Sequence, residues 1–139
     1  MSIRTYLRPV AACATVLATA ALLAGPALAF DIGFDWAGLK SCATGKAPTV
    51  ASPAFDLKDV PKGTQYIRFK MVDRDVPDYN HGGGVVKWAG EAKIPAGAFK
   101  YKAPCPPNGV HTYEWTASAQ SKKNGGLLGQ ASAKRKYPE

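Results

Sequence analysis

The segment 110–120 alternates between core-type and polar residues almost without interruption, and this pattern constrains the fold more than any other feature of the chain. One set of alternate positions carries His111, Tyr113, Trp115, Ala117 and Ala119. Successive side chains of a strand point to opposite sides, so a period of two residues is typical of a strand that buries one face. The segment is therefore predicted to be a half-buried strand.

The rest of the chain repeats this theme in shorter segments. The alternation recurs at 65–72, where Ile67, Phe69 and Met71 are predicted to point inward. Weaker strand patterns are found at 30–36, 85–89 and 127–136. Gly- and Pro-rich turn signals lie between them at 61–63, 82–84, 95–97 and 124–126. With no strong helical periodicity after residue 29, these features predict one all-β domain, an antiparallel sandwich with few or no short helices.

Two local features add detail to this prediction. The pair Asn124-Gly125 favours a hairpin turn, because Asn-Gly readily takes positive φ at both central positions. The segment 38–51 lacks a clear period and is predicted to be irregular, held in place by Cys42. No internal repeat or linker divides residues 30–139, which suit a single domain with one modest core.

The first 29 residues have the pattern of an export signal. Arg4 and Arg8 form a basic start, the apolar segment 10–23 follows, and Ala27-Leu28-Ala29 matches a small-residue cleavage site. The apolar run is too short and too weak for a membrane span. We therefore expect cleavage after Ala29, release of residues 30–139 to the periplasm or the medium, and no membrane-spanning segment in the product.

Cleavage would change the cysteine count and the charge. Cys42 and Cys105 would remain, and an isolated pair in an oxidising compartment is most simply one disulfide. Loss of Arg4 and Arg8 would leave 16 basic and 10 acidic residues, a net charge of +6. The lysines are scattered and the only dense run, 134–136, lacks interleaved aromatic residues, so we expect a solvated surface and no specific nucleic-acid partner.

Two strand-end loops carry the residues with chemical potential. One follows the strand at 65–72 and contains Asp73 and Asp75, with His81 close behind; the other, Pro-rich, leads into His111 and Tyr113. A neutral histidine and a tyrosine hydroxyl can each donate to a phosphate oxygen, and an aspartate beside each imidazole would fix its tautomer. Each residue alone also fits a purely structural role, the aspartates as turn formers and Tyr113 as core.

An ordered set of motifs resembles the phosphatidylethanolamine-binding protein (PEBP) family, also known as the Raf-kinase-inhibitor-like family. The motifs are SPAF at 52–55, VPKGT at 60–64, DRDVP at 73–77, and APCPP at 103–107 leading to HTY at 111–113. The segment YNHGGG at 79–84 is most similar to a short, exported bacterial branch. Together the motifs span about residues 50–120, and any one of them alone would be unspecific.

The resemblance implies a Greek-key β-sandwich with a small pocket for phosphate-like anions or phospholipid headgroups. Carried over by motif, the pocket residues are Asp73, His81, Pro104, His111 and Tyr113, with Asp75 as a supporting carboxylate. The chain also departs from the family pattern. Arg74 replaces a proline and adds a cation, and Thr112 replaces an arginine. Ala103 replaces a glycine, and its Cβ would crowd the ligand. The 78–84 loop is altered around His81.

The sequence thus predicts a non-enzymatic binding protein with no cofactor and no metal. An inhibitor or interaction module that acts on an exported or envelope protein, such as a hydrolase, is the alternative. An enzyme is the weakest hypothesis, since the histidines are 30 residues apart and neither an H-x-x-x-H pattern nor a G-x-S-x-G motif is present. A metal site formed by Asp73, Asp75, His81 and His111 would be its chemical basis.

Overall fold

The computed structural model describes residues 29–139, so the proposed export signal up to residue 28 lies outside the described residues. This part of the chain forms nine strands and no helix. The strands are β1 (Asp31–Phe34), β2 (Thr49–Ala51), β3 (Phe55–Lys58), β4 (Tyr66–Asp73), β5 (Gly83–Lys87), β6 (Lys93–Ile94), β7 (Lys100–Lys102), β8 (His111–Lys122) and β9 (Gly125–Tyr137). Accordingly, residues 29–139 contain no helix that is long and apolar enough to cross a membrane.

The strands form three antiparallel sheets. The largest has the order β5-β4-β8-β9, a second has the order β1-β3-β6, and β2 pairs with β7 alone. The chain leaves the largest sheet after β5, contributes β6 and β7 to the smaller sheets, and returns at β8 beside β4. This non-sequential order is of the kind that Greek-key connections produce. The expected antiparallel β-sandwich is confirmed.

Aromatic side chains join the layers. Trp115 is fully buried at the centre of β8, and Phe55 of β3 stacks on Phe69 of β4 with ring centroids 4.2 Å apart. Phe55 also meets Trp115 edge-on at 5.2 Å. Burial of each such side chain contributes about 1.5–3 kcal/mol, and the aromatic geometry adds to it. The predicted inward residues Ile67, Phe69 and Met71 all lie in this core.

All five predicted strands are present, whereas β2, β3, β6 and β7 were not predicted. The expectation that 38–51 is irregular is wrong at its end, because Thr49–Ala51 pairs with Lys100–Lys102 as β2. The turn predicted at 82–84 is also shifted. Gly83 and Gly84 belong to β5 and pair with Lys70 and Phe69, respectively. A Cβ added to Gly83 would clash with the Phe69 carbonyl, and one added to Gly84 would clash with the Phe99 ring.

The hairpin between β8 and β9 is present, but its turn differs from the prediction. Lys122 pairs with Gly125, so the loop consists of Lys123 and Asn124. The positive φ, 67°, falls on Gly126 instead of Asn124 and Gly125. The Arg68 Nη2 donates hydrogen bonds to the Lys123 carbonyl (3.2 Å) and the Asn124 Oδ1 (2.9 Å), which holds the turn in this register.

The predicted disulfide is confirmed and fixes the segment before β2. Cys42 and Cys105 are bonded across 63 residues of chain. Around the bond, the Gly45 amide donates to the Cys105 carbonyl (3.1 Å). On the other side of the segment, the Tyr137 hydroxyl accepts from the Cys42 amide and donates to the Lys40 carbonyl, each at 3.0 Å. The segment is therefore attached both to the Pro-rich loop and to β9.

Candidate functional site

The site lies where β4 ends and β8 begins. These strands are antiparallel neighbours, and their register pairs Asp73, the last residue of β4, with Tyr113. His111 is the first residue of β8. The two loops that the sequence singled out therefore leave the sheet at the same end, and this brings their polar residues together.

Asp73 is buried and uses both carboxylate oxygens. Its Oδ1 accepts from the backbone amides of Asp75 (2.9 Å) and Val76 (3.2 Å), and its Oδ2 accepts from His111 Nδ1 (2.7 Å). Burial alone would raise the pKa of the Asp73 carboxyl, but the hydrogen bonds from His111 and the two amides outweigh it and lower the pKa from its usual 3.8. Asp73 is thus an ionised carboxylate that both closes a turn and orients a histidine.

His111 has one ring nitrogen committed to Asp73 and one left for a ligand. Because a carboxylate can only accept, the Nδ1 of His111 carries the proton and donates. The His111 side chain is 17% exposed, so Nε2 is the nitrogen that remains available. Protonated His111 would offer Nε2–H as a charge-assisted donor to an anion.

His81 is more deeply buried and has a different partner from the one expected. Its Nδ1 donates to the Lys102 carbonyl (2.8 Å), so the expectation of an aspartate beside each histidine is met at His111 and wrong at His81. Burial lowers the pKa of His81 below its usual 6.5; the carbonyl bond and the charge of Asp73 oppose this only partly. His81 is therefore neutral near pH 7, and its Nε2 is an acceptor.

Tyr113 supplies a phenol hydroxyl to the site. Burial raises the pKa of Tyr113, and the negative charge of Asp73 acts in the same direction. The phenol therefore stays protonated and can donate. Its ring meets those of His81 and Trp36 edge-on, with centroids 5.5 and 6.1 Å apart, so aromatic packing fixes its direction.

These side chains surround one cavity of about 190 Å³. Four of the predicted residues line it: Asp73, His81, His111 and Tyr113. The remaining lining residues are Gly45, Ala47, Val76, Tyr79, Cys105, Pro106 and Pro107. Pockets for drug-sized ligands are usually about 300–1,000 Å³, so this one suits a single small group such as a phosphate.

Two predicted residues do not line the cavity. Pro104 is fully buried, and Asp75 lies beside the cavity, where its Oδ2 accepts from the Thr112 amide (2.7 Å). Asp75 thus links the two loops, and the prolines that line the cavity are Pro106 and Pro107 instead of Pro104.

Of the departures from the family pattern, Arg74, Ala103 and Thr112 do not line the cavity, whereas the altered 78–84 loop contributes Tyr79 and His81 to it. Ala103 is buried, its amide donates to the Pro48 carbonyl (2.8 Å), and it does not line the cavity, so the crowding expected from its Cβ is absent there. Arg74 pairs with Glu114 at 3.4 Å, away from the ligand space. The cation expected from Arg74 is thus not one of the cavity residues.

Gly45, Ala47 and Tyr79 line the cavity but were not predicted as site residues. Gly45 and Ala47 belong to the segment attached through Cys42, and a Cβ on Gly45 would meet Pro107 at 3.3 Å. Tyr79 lies beside His81 with ring centroids 4.6 Å apart, and the Lys102 ammonium sits 5.5 Å from the Tyr79 ring. For Gly45 and Ala47, the available sequence signal was the predicted disulfide, because Cys42 attaches their segment to the Pro-rich loop.

The metal alternative has a partial geometric basis. Asp73, Asp75 and His111 each offer a ligand atom within 4.8 Å of the others, while His81 stands outside this group. However, the Asp73 Oδ2 and the His111 Nδ1 are already hydrogen-bonded to each other. An ion that used either of these atoms would have to replace that bond.

Sequence comparison finds no matching protein-family model and no matching curated protein. Comparison of structures does find relatives. The PEBP homologue CT736 from Chlamydia trachomatis D/UW-3/CX is 16% identical with a TM-score of 0.56, over 80% of this chain and 98% of that chain. YbcL of E. coli, a new member of the mammalian PEBP family, is 16% identical with a TM-score of 0.57, over 79% and 98%.

At this identity the likeness establishes the fold. Residues 29–139 adopt the same sandwich fold as these two PEBP homologues, and the match covers 98% of each homologue. The fold that the motif resemblance implied is therefore confirmed. Fold alone does not carry function, which has to be argued from the site.

Proposed function

We propose that this chain is a non-enzymatic binding protein whose cavity takes a phosphate-like anion or the headgroup of a phospholipid. The observation that carries this is the single cavity in which ionised Asp73, hydrogen-bonded to His111, faces His81 and Tyr113. Tyr113 and the protonated form of His111 would donate to phosphate oxygens. Pro106 and Pro107 form a stiff side of the cavity, which lowers the entropy cost of binding.

The charges of the cavity narrow the ligand class. Asp73 is ionised and His81 is neutral with Nε2 as an acceptor, so a fully charged phosphate dianion would meet one negative charge and one lone pair. A phosphodiester has only one negative charge, and the ammonium of an ethanolamine headgroup would find acceptors in Asp73 and His81. The proposed preference is therefore for glycerophosphoethanolamine over inorganic phosphate above neutral pH.

Heteronuclear NMR titration of the 30–139 protein tests the proposal. We expect glycerophosphoethanolamine and phosphate to give saturable shifts at the 73–81 and 103–113 loops, with tighter binding of the former. His111→Ala should abolish the shifts and keep the dispersed spectrum of a folded protein. Asn108→Ala, an exposed change in the same loop that does not line the cavity, is the matched control. Equal binding by wild type and His111→Ala would remove His111 from the site.

The absence of enzymatic activity and of a resident metal is part of the proposal. Metal analysis of purified protein is the direct test, because Asp73, Asp75 and His111 are the cluster that an ion would use. Near-stoichiometric zinc or iron, lost in His111→Ala, would replace the proposal with a metal-dependent activity.

We also propose that the chain is exported and cleaved after Ala29. The disulfide between Cys42 and Cys105 supports an oxidising compartment, because such bonds are rare in the reducing cytosol. N-terminal sequencing of protein from the exported fraction should begin at Phe30. An intact N-terminus on protein that stays in the cytosol would contradict this.

An interaction module is the second candidate, favoured by the mouth of the cavity. Val76 and Tyr79 line the cavity and are large apolar side chains left exposed, and Val110, 56% exposed, directly precedes His111 in the chain. A protein partner such as an exported hydrolase would cover this rim. Val76→Ser/Val110→Ser should then weaken capture of that partner while His111→Ala does not, which is the reverse of the order expected for small-anion binding.

A further inference from the structure

The four-stranded sheet has a second surface, on the side away from the core. We define the outer sheet face as the even-numbered residues of β4, of β8 as far as Gln120, and of β9 from Gln130 onward, together with their β5 neighbours Val85 and Lys87. Alternation places these side chains opposite the buried ones, as the burial of β4 and β8 shows. Strand pairing aligns them in rows, for example Ser132, Thr116 and Lys70.

This outer sheet face is strongly basic. It carries Arg68, Lys70, Lys87, Lys134 and Lys136. The only acidic side chain on it is Glu114, and Glu114 is flanked by Arg74 (3.4 Å) and Lys134 (3.7 Å). The other nine acidic residues of the chain lie elsewhere. Five basic residues that are spread over 69 positions of sequence thus form one positive surface.

The shape and the edge of the face distinguish between anionic partners. At about 3.4 Å per residue, the part of β8 that belongs to the face, 112–120, gives a surface about 30 Å long. Leu127, 59% exposed, pairs with Gln120 at the edge of the face, and exposed Leu128 follows it. Tyr66 is the only aromatic residue on the face, whereas surfaces that bind single-stranded nucleic acid stack bases on several aromatic rings. Cations beside exposed leucines match a bilayer, which offers negative headgroups and an apolar layer beneath them.

We propose that the outer sheet face docks this protein onto an anionic lipid bilayer. The lysines and Arg68 attract the headgroup layer, and Leu127 enters its apolar margin. The inference is independent of the cavity, whose residues Asp73, Tyr113 and His111 lie at inward positions at one end of the sheet. Because the attraction is electrostatic, docking weakens as salt shortens the Debye length below about 8–10 Å.

Vesicle co-sedimentation of the 30–139 protein, which contains all nine strands, is the test. The vesicles are phosphatidylcholine with or without one third phosphatidylglycerol. A face variant changes Lys70, Lys87, Lys134 and Lys136 to glutamine. A matched control changes Lys40, Lys58, Lys93 and Lys100, exposed lysines outside the face, and so removes the same four charges.

Wild type should bind the phosphatidylglycerol vesicles and not pure phosphatidylcholine. With roughly fivefold affinity per lysine near an anionic surface, the face variant should lose at least about 100-fold and the control far less. Equal losses in the two variants would overturn the proposal, since net charge alone would then account for binding.

Two further arms separate bilayer docking from polyanion binding and from the cavity. Leu127→Ser should weaken vesicle binding but should not change binding to a soluble polyanion, for which polyphosphate and single-stranded DNA are the probes. If the wild type bound the polyanion more tightly than vesicles, the bilayer would be overturned as the partner. His111→Ala should leave vesicle binding intact, and the face variant should keep its glycerophosphoethanolamine shifts. Failure of docking is thereby distinguished from failure of the cavity proposal.

Discussion

The Asp73 Oδ2 and the His111 Nδ1 lie 2.7 Å apart, although 38 residues of chain separate the two side chains. Antiparallel pairing of β4 and β8 places both at one end of the sheet. The same carboxylate closes the turn after β4 through the amides of Asp75 and Val76. Asp73 therefore couples the shape of one loop to the orientation of a ligand-facing histidine on the next strand.

Asp73→Ala should be strongly destabilising. It would leave two backbone amides and the His111 Nδ1–H without their acceptor, and each buried unsatisfied group costs about 1–3 kcal/mol. Partial access of water to the turn reduces the total, so we expect a loss of about 3 kcal/mol in the free energy of unfolding by urea. Asp78→Ala, at an exposed position of the same loop, is the control and should change stability by less than about 0.5 kcal/mol. Similar losses in both variants would contradict the role of the Asp73 carboxylate.

His81 should make stability depend on pH in the mildly acidic range. Its pKa is below 6.5 in the folded protein, mainly through burial, so the unfolded chain binds more protons. Stability then rises with pH between the folded pKa and about 6.5, and is lost as pH falls through that window. Urea midpoints measured across this range should show the slope, and His81→Asn, which cannot titrate, should remove it. An unchanged slope in His81→Asn would assign the effect to another group.

A second loss of stability should appear in stronger acid and belongs to Asp73. Because the pKa of Asp73 is lowered in the folded protein, its contribution to the free energy of unfolding is complete above about pH 3.8. That contribution disappears as the pH falls through the pKa of Asp73 in the folded protein. Asp73→Asn should flatten this acid limb while leaving the slope near pH 6 in place. The two limbs are thus separable by the two variants.

The sequence predicted the long strands and missed the short ones for a physical reason. β4 and β8 each have one buried and one solvated face over eight residues or more, and the alternation is visible. The strands β2, β3, β6 and β7 have two to four residues, too few to display a clear period of two, and β1, with four, was predicted only from a weak pattern at 30–36. Their positions follow from pairing with distant segments, which the local sequence does not encode.

The site shows the same division. Asp73, His111 and Tyr113 were predictable because strand ends and turn residues mark them. The partner of His81 was not, because it is the backbone carbonyl of Lys102, and every residue offers a carbonyl.

The sequence did not predict the basic outer sheet face either. Scattered lysines become one surface only through the register of four strands, so the sequence indicated a generally solvated surface and not the grouping of these lysines on one face.

The disulfide should stabilise both the domain and the cavity. Closing a loop of 63 residues contributes roughly 4 kcal/mol by the chain-entropy model. The double variant Cys42→Ser/Cys105→Ser should therefore unfold at clearly lower urea concentration. Where it remains folded, NMR should show changed signals for Gly45 and Ala47, which line the cavity, together with weaker binding of glycerophosphoethanolamine. Unchanged signals there would mean that the Tyr137 contacts alone hold this segment.

Tyr113→Phe separates the donor role of the hydroxyl from the packing of the ring. The ring is almost fully buried and packs edge-on against Trp36 and His81, contacts that phenylalanine retains, so the fold should survive with little change in stability. Loss of one hydrogen bond to a charged oxygen costs about 1.5–3 kcal/mol, which predicts binding of glycerophosphoethanolamine about 10- to 150-fold weaker. Leu57→Ala, a core change in β3 away from the cavity, is the control: it should lower stability and leave affinity unchanged. If Tyr113→Phe binds as tightly as wild type, the hydroxyl is a structural group and the ligand must be held by His111 and the remaining lining residues.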